Sequence, residues 1–333
     1  MAITWIKIAH SKKYGGETYA LKAKEAIKKH FDFKEIEIKS QEHTPRYFKL
    51  FDWFFKISKI KEYQDLWIFD SFIAVAFANF NTIKGKKAIL IHHIDHSVFP
   101  LIVRPFFHFL EMIFHIKAKK ADVIVTVSEY WKKYFLKKGY KKVQLIHNSF
   151  DEQDFNFSFE EIEQFKKKYN FDARAIVYIG NCLKAKGVVE SYEALKGLNV
   201  NLVTSGERTV SIAARNLSLE YRDYLKLLKA SSVVVTMSKF KEGWCGTAHE
   251  AMLCKTPVIG SGLGGMKELL EGGKQIICTD FKNLREKVEY LLRNHQARVK
   301  MGQDGFDFAR EFTKEKFETS WFNVISDLTD EKL

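Results

Sequence analysis

Two carboxylates, Glu242 and Glu250, frame the start of the run KEGWCGTAHEAMLCKTPVIGSGLGGMKELLEGG, residues 241 to 273. The first precedes a turn and the second falls inside the helix predicted to follow. Between them, Gly243 and Gly246 allow the backbone to approach a ligand closely, and Thr247 is placed to cap the helix start. Amides at such a start, with the helix dipole behind them, suit a diphosphate. A carboxylate beyond the turn can accept hydrogen bonds from sugar or ribose hydroxyls. The strand Thr256 to Ile259 leads into a second glycine turn, SGLGG, that can approach the same ligand.

Other chemistry-bearing residues lie in the first half. HSKKYGGETYA places Gly15 and Gly16 between a first strand and a helix, although adjacent glycines serve turns of many kinds. LIHHIDHSVFP sets His92, His93 and His96 around Asp95 at a strand end. Imidazole and carboxylate suit zinc, but histidines that merely cap a strand account for the same residues, and no metal is expected. Ser128 ends the next strand. RYFKLFDWFFKISKIK, residues 46 to 61, interleaves Arg46, Lys49, Lys56 and Lys59 with Phe48, Phe51, Trp53, Phe54 and Phe55. As a helix it has the composition of an interfacial membrane segment or of an ordinary core-facing amphipathic helix.

The elements that must position these residues alternate short apolar runs with amphipathic stretches, as in a parallel α/β sheet. Ile3–Ala9, Glu35–Ile38, Leu66–Phe69, Ala88–Ile91, Val123–Val127 and Val143–Ile146 read as a first series of strands, with helices such as Thr18–His30 and Glu129–Lys138 between them. After the acidic, aromatic connector DEQDFNFSFEEIEQFKKKYNF come strands at Ala175–Ile179, Val200–Thr204, Ser232–Thr236, Thr256–Ile259 and Gln275–Cys278. Helices fit Gly187–Leu195, Tyr221–Lys229, Thr247–Leu253, Met266–Leu270 and Phe281–Asn294. A chain of 333 residues exceeds what one core usually organises. Two Rossmann-like halves with a cleft between them is the economical architecture, because open parallel sheets bind ligands at the carboxyl ends of their strands.

Charge divides along the chain. Residues 1 to 150 hold 27 Lys plus Arg against 14 Asp plus Glu, and the remainder holds 27 against 27, so the whole excess of +13 lies in the first half. Such asymmetry favours an anionic partner, whether a membrane surface, a phospholipid-linked acceptor or nucleic acid, while solvated lysine faces explain it equally. No recognised nucleic-acid module accompanies it. Arg104, Glu111 and Lys117 interrupt the best candidate for a spanning helix. The N-terminus puts its apolar stretch before its charges, the reverse of a signal peptide. Cys182, Cys245, Cys254 and Cys278 lack paired spacing, which argues against a zinc knuckle or a disulfide framework and for a reducing cytoplasm.

The segment around Glu242 and Glu250 resembles the donor site of the family-4 retaining glycosyltransferases, whose two glutamates are likewise separated by seven residues. IHNSFD (146–151, with Ser149 where the family commonly has glycine), VTVSEYWKKYFLKKG (125–139) and LKLLKASSVVVTMS (225–238) resemble further family segments, so the likeness covers nearly the whole chain. It implies a GT-B fold: an acceptor domain over 1–152, a donor domain over 153–311, and a terminal helix over 312–333 packing back on the first domain through Trp321 and Phe322. It implies a metal-independent transferase without a cofactor, moving a sugar with retention from a nucleoside diphosphate sugar, UDP favoured and GDP next, to a glycan or lipid-linked hydroxyl. Glu242 then contacts the donor sugar and Glu250 the ribose. YIGNCLKAKG (178–187) resembles the segment that holds the donor diphosphate, with Lys186 at the family's lysine and Asn181 at its arginine. That departure removes a fixed cation from the leaving group, which Lys184 or Arg208 would have to replace. Gly15 and Gly16 match the family's glycine loop, and His93 or His92 its histidine facing the donor sugar. The resulting expectation is a cytoplasmic enzyme, peripheral on a membrane if the basic half binds one. A nucleotide-sugar epimerase and a non-catalytic GT-B protein binding membrane or nucleic acid are the alternatives.

Overall fold

The computed structural model describes residues 1–9, 15–40 and 46–329. His10 to Tyr14 of the first glycine segment, residues 41–45 and residues 330–333 lie outside them. Internal contacts divide the chain into Met1–Asn148 with Glu315–Leu333, and Ser149–Lys314.

The first unit carries β1 (Ala2–Ile8), α1 (Gly15–Lys28), β2 (Asp32–Ile38), α2 (Arg46–Ser58), β3 (Tyr63–Phe69), α3 (Phe72–Phe77), β4 (Lys84–Ile91), α4 (Arg104–Ala118), β5 (Val123–Thr126), α5 (Glu129–Lys137) and β6 (Val143–Leu145). Its sheet is parallel in the order β2-β1-β3-β4-β5-β6. The order reverses between β1 and β3, so the loops after those strands border a switch point of the kind that binds ligands. Several strands begin before their apolar runs. In β4, Lys84 to Lys87 are exposed or half-buried and Ala88 to Ile91 are buried, because the hydrogen-bonded ladder runs past the edge of the core. One face of the sheet packs on α2 to α5, with Ile57, Trp67, Phe69, Val75, Phe114 and Phe135 in the core between.

The second unit carries α6 (Phe159–Lys168), β7 (Ile176–Asn181), α7 (Val188–Leu195), β8 (Asn201–Ser205), β9 (Arg215–Leu217), α8 (Tyr221–Ala230), β10 (Val233–Thr236), α9 (Gly246–Leu253), β11 (Val258–Gly260), α10 (Met266–Gly272), β12 (Ile276–Ile277), α11 (Leu284–Arg293) and α12 (His295–Ala309). Its parallel order is β12-β11-β10-β7-β8-β9, which reverses between β7 and β10. The sequence pattern missed α6, which the reciprocal Ser158–Glu161 capping box starts inside the acidic connector. It also missed the three-residue edge strand β9 and the helix α12.

The last helix, α13 (Lys314–Thr329), belongs to the first unit from Glu315 onward. Trp321 is 1% exposed, with its ring 6.0 Å from Trp5 and 6.4 Å from Tyr19. Phe322 stacks on Phe31 and Lys29 pairs with Glu318. Among the described residues, no helix is long and apolar enough to cross a membrane.

Candidate functional site

The second unit's candidate residues gather at its switch point, on the segments that leave β7 and β10. After β7 the chain makes one short helical turn, Lys184–Lys186, and passes Gly187 at φ +68°. A Cβ there would stand 2.1 Å from the Met237 carbonyl, so only glycine lets this turn lie against the end of β10. Lys239 N–H donates to the Ala185 carbonyl and closes the approach. Lys186 and Glu242, 56 positions apart in sequence, thereby meet with Nζ 2.6 Å from Oε1.

Glu242 is 6% exposed, and Ser238 Oγ donates to the same carboxylate oxygen. Burial opposes the charge on Lys186, but the Glu242 carboxylate outweighs it and holds the ammonium's pKa above its ordinary value. The ammonium also stands 5.0 Å over the Phe240 ring. The SGLGG turn fixes the Glu242 backbone. Glu242 N–H donates to Leu263 and its carbonyl accepts from Gly265, while Gly264, at φ +69°, would place a Cβ 2.4 Å from the Glu242 carbonyl. This loop therefore supports the first glutamate through its main chain.

Beyond the bend at Gly243, Cys245 rather than Thr247 stands at the start of α9, in a left-handed conformation uncommon for a residue with a side chain. Thr247 is already inside the helix, and its Oγ lies 3.2 Å from the Tyr224 hydroxyl. The first-turn amides of Gly246 and Thr247 precede the helix's own ladder, as first-turn amides must. Burial pushes the Cys245 thiol up to about 12, so it is no nucleophile at neutral pH. Glu250, one turn further in, accepts from Tyr221 on Oε1 and from Tyr224 on Oε2, each at 3.0 Å. Burial and the carboxylate both raise these phenols' pKa values, so they remain donors. The sequence pattern gave no role to Tyr221, Tyr224 or Ser238. The i, i+3 spacing of the two tyrosines on α8 was the available signal.

Asn181, at the end of β7, has Oδ1 2.8 Å from the Tyr178 hydroxyl and 3.2 Å from Ser205 Oγ. Its amide is thus ordered at the strand end. Arg208 donates to the Ile212 carbonyl, and Lys184 is exposed. His249, fully buried, accepts from Trp244 Nε1 and donates to the Ala309 carbonyl, which fixes its tautomer and ties α9 to α12.

In the first unit, Gly15 and Gly16 open α1, and His92 follows β4. A Cβ on Gly16 would stand 3.2 Å from His92 Cδ2, and Tyr19 meets the same imidazole edge-on at 5.0 Å. Burial pulls the His92 pKa down to about 3, so the ring is neutral. His93 is exposed. His96 does not join them: its Nε2 lies 3.0 Å from Glu111 Oε2 on α4. Ser128 is buried as the cap of α5, accepting from Trp131 N–H.

Comparison with known proteins gives these arrangements a context. Residues 159–308 match the family model described as glycosyl transferases group 1. An uncharacterized glycosyltransferase of Methanocaldococcus jannaschii is 25% identical over 226 residues, covering 63% of this chain and 61% of its own. The N-acetyl-alpha-D-glucosaminyl L-malate synthase of Bacillus anthracis is 26% identical over 237 residues, with the same 63% and 61% coverage. The match thus spans about three-fifths of the length of these relatives. Among solved structures, Anabaena HepE in complex with UDP-glucose superposes with a TM-score of 0.76 at 16% identity, covering 98% of this chain and all of that one. The likeness shows the GT-B fold.

Proposed function

We propose that this chain, whose second unit is a group 1 glycosyltransferase domain, moves a sugar from a nucleoside diphosphate sugar to an acceptor hydroxyl, with retention at the anomeric carbon. The observation that carries the reading is the Lys186–Glu242 contact beside the start of α9, at the switch point of a domain matching that family. In this reading Lys186 and the amides of Gly246 and Thr247 hold the diphosphate and stabilise the charge that develops as the anomeric C–O bond breaks. Glu242 orients the sugar hydroxyls, and Glu250 exchanges a tyrosine partner for the ribose. A phosphate oxygen of the departing diphosphate takes the acceptor's proton, so no protein nucleophile and no metal enters the scheme. Asn181 supplies a neutral donor where a cation would otherwise stand.

The acceptor is a glycan or lipid-linked hydroxyl presented at an anionic membrane surface. Support comes from the first half, which holds the whole net charge of +13. It also leaves large apolar side chains in solvent on two helices that both pack on α3: Phe48, Phe51 and Phe55 on α2, and Phe106, Phe109 and Met112 on α4. Aromatic faces with surrounding lysines suit a headgroup boundary.

The test is thermal-shift screening against UDP-, GDP- and ADP-sugars, followed by product analysis. UDP-sugars are expected to raise the melting temperature of the parent protein and to leave the Glu242→Ala protein unchanged. A shift by no nucleotide sugar, or an equal shift in the variant, refutes the donor site. Isomerised donor in the absence of acceptor establishes an epimerase instead.

A further inference from the structure

The segment leaving β4 folds into a short helical turn, His96–Val98, that lies against α4. His96 is 5% exposed and held among aromatic rings, with Phe72 at 5.6 Å, Phe107 at 5.8 Å and Phe99 at 6.2 Å between ring centres. Phe99 and Phe107 themselves stack at 4.0 Å, so this wall is rigid. Against it, α4 presents His108 and Glu111, spaced i, i+3 on one helix face. Glu111 Oε2 lies 3.0 Å from His96 Nε2 and 3.5 Å from His108 Nδ1, and the three atoms fall within 4.8 Å of one another.

The other carboxylate oxygen is engaged from behind. Tyr134 donates to Glu111 Oε1 at 3.0 Å, and His115 Nε2 stands 3.4 Å from it. His115 is in turn 2.7 Å from the Tyr140 hydroxyl through Nδ1. Oε1 is therefore anchored by a second layer of hydrogen bonds, while Oε2 is aimed between two imidazoles. That division is the one by which outer hydrogen bonds orient a metal-binding carboxylate.

We propose that His96, His108 and Glu111 form a binding site for a divalent transition metal of the zinc class, clipping the segment after β4 to α4. Two imidazole nitrogens and one carboxylate oxygen select zinc, cobalt(II) or nickel(II) over magnesium or calcium, which prefer oxygen shells. Ligand atoms around tetrahedral zinc stand about 3.3 Å apart, so the 3.0 and 3.5 Å separations need only small shifts, and the exposed His108 ring turns to close the third, between the two imidazole nitrogens, which is within 4.8 Å. Binding through Nε2 requires the other tautomer of the neutral His96 ring, so its single proton moves from Nε2 to Nδ1. The side chain of His108 is 64% exposed, which gives the ion a path of entry and leaves the fourth position to water. The same segment carries His92 and His93, so the clip fixes the strand end from which they project. It takes no part in sugar transfer, and its test is independent of the donor reading.

The experiment uses the full chain without an affinity tag, stripped with chelator and titrated with cobalt(II). One equivalent is expected to produce the visible absorption of a four-coordinate cobalt site, which zinc displaces. Zinc is also expected to raise the melting temperature. His108→Ala removes an exposed side chain, so the fold survives, and it should weaken cobalt binding about 100-fold or more. Glu111→Gln should do the same, whereas His295→Ala, at an exposed position in the other unit, should bind like the parent. Absence of the cobalt spectrum, or equal affinity in the parent and His108→Ala proteins, overturns the site.

Discussion

Replacing Lys186 with methionine keeps most of the side chain's length and removes the ammonium, and with it the charge and the contact with the Phe240 ring. At 2.6 Å and an effective dielectric of about 20, the attraction between Lys186 and Glu242 is about 6 kcal/mol before desolvation. Burying the carboxylate, 8% exposed at its side chain, takes back much of that, and the 31% exposure of the lysine side chain screens more. A net coupling of about 2 kcal/mol remains. The methionine variant should nevertheless lose about 3 kcal/mol, because it leaves a buried carboxylate without its cation. Glu242→Gln, which still accepts from Ser238, should lose about 1 kcal/mol. The double variant should therefore lose about 2 kcal/mol, less than Lys186→Met alone. Denaturant unfolding of all four proteins measures the cycle, with donor-induced thermal shift as a separate reading expected to vanish in all three variants. Losses that add within about 0.5 kcal/mol would refute the pair as an energetic unit.

Gly264→Ala should destabilise by about 3 kcal/mol and abolish donor binding, since its Cβ would collide with the Glu242 main chain. Gly197→Ala, at a similar positive φ but facing open space, should cost only about 1 kcal/mol and leave binding unchanged. Burial raises Asp70, whose Oδ2 accepts from Trp5, to a pKa of about 6. A raised carboxyl contributes stability that is complete below about pH 4 and is lost as pH climbs through 6. Relative to Asp70→Asn, the parent should therefore lose about 2 kcal/mol between pH 4 and pH 7 in matched unfolding curves, after allowance for partial solvent contact. Ile102→Glu combined with Phe109→Glu places charge at two exposed positions, 88% and 53% accessible, and should reduce sedimentation with phosphatidylglycerol vesicles at least tenfold without changing donor-induced melting shifts. Equal sedimentation of parent and variant would remove the membrane-facing role.

The legible part of the fold was its buried part. Ala88–Ile91 and Val233–Thr236 announce themselves as apolar runs, whereas Lys84–Lys87 extend the same ladder beyond the core and look like loop. The capping box at Ser158 and Glu161 was readable, but the charge around it suggested a connector. In α12, Gly302 and Gly305 lower helix propensity. Their lack of a side chain admits the Lys255 carbonyl at one and Met252 at the other, and only the tertiary structure supplies that reason. At the site, the two glutamates stood out through local spacing. Lys186 stood out through its own motif but not as the partner of Glu242, and Tyr221 did not stand out, because they lie 56 and 29 positions from the glutamates they bond. The glycines were legible as turns without indicating what they approach: Gly264 backs Glu242, and Gly16 lies beneath His92.

The return of α13 to the first unit has a consequence for the order of events during synthesis. Trp5 and Tyr19 emerge early from the ribosome, yet Trp321 and Phe317, the rings that cover them, emerge only after the whole second unit. The second unit is continuous in sequence and can close as soon as it is made. The first must wait with an aromatic face uncovered, so a nascent chain stalled before residue 314 presents a hydrophobic surface to chaperones and to other chains.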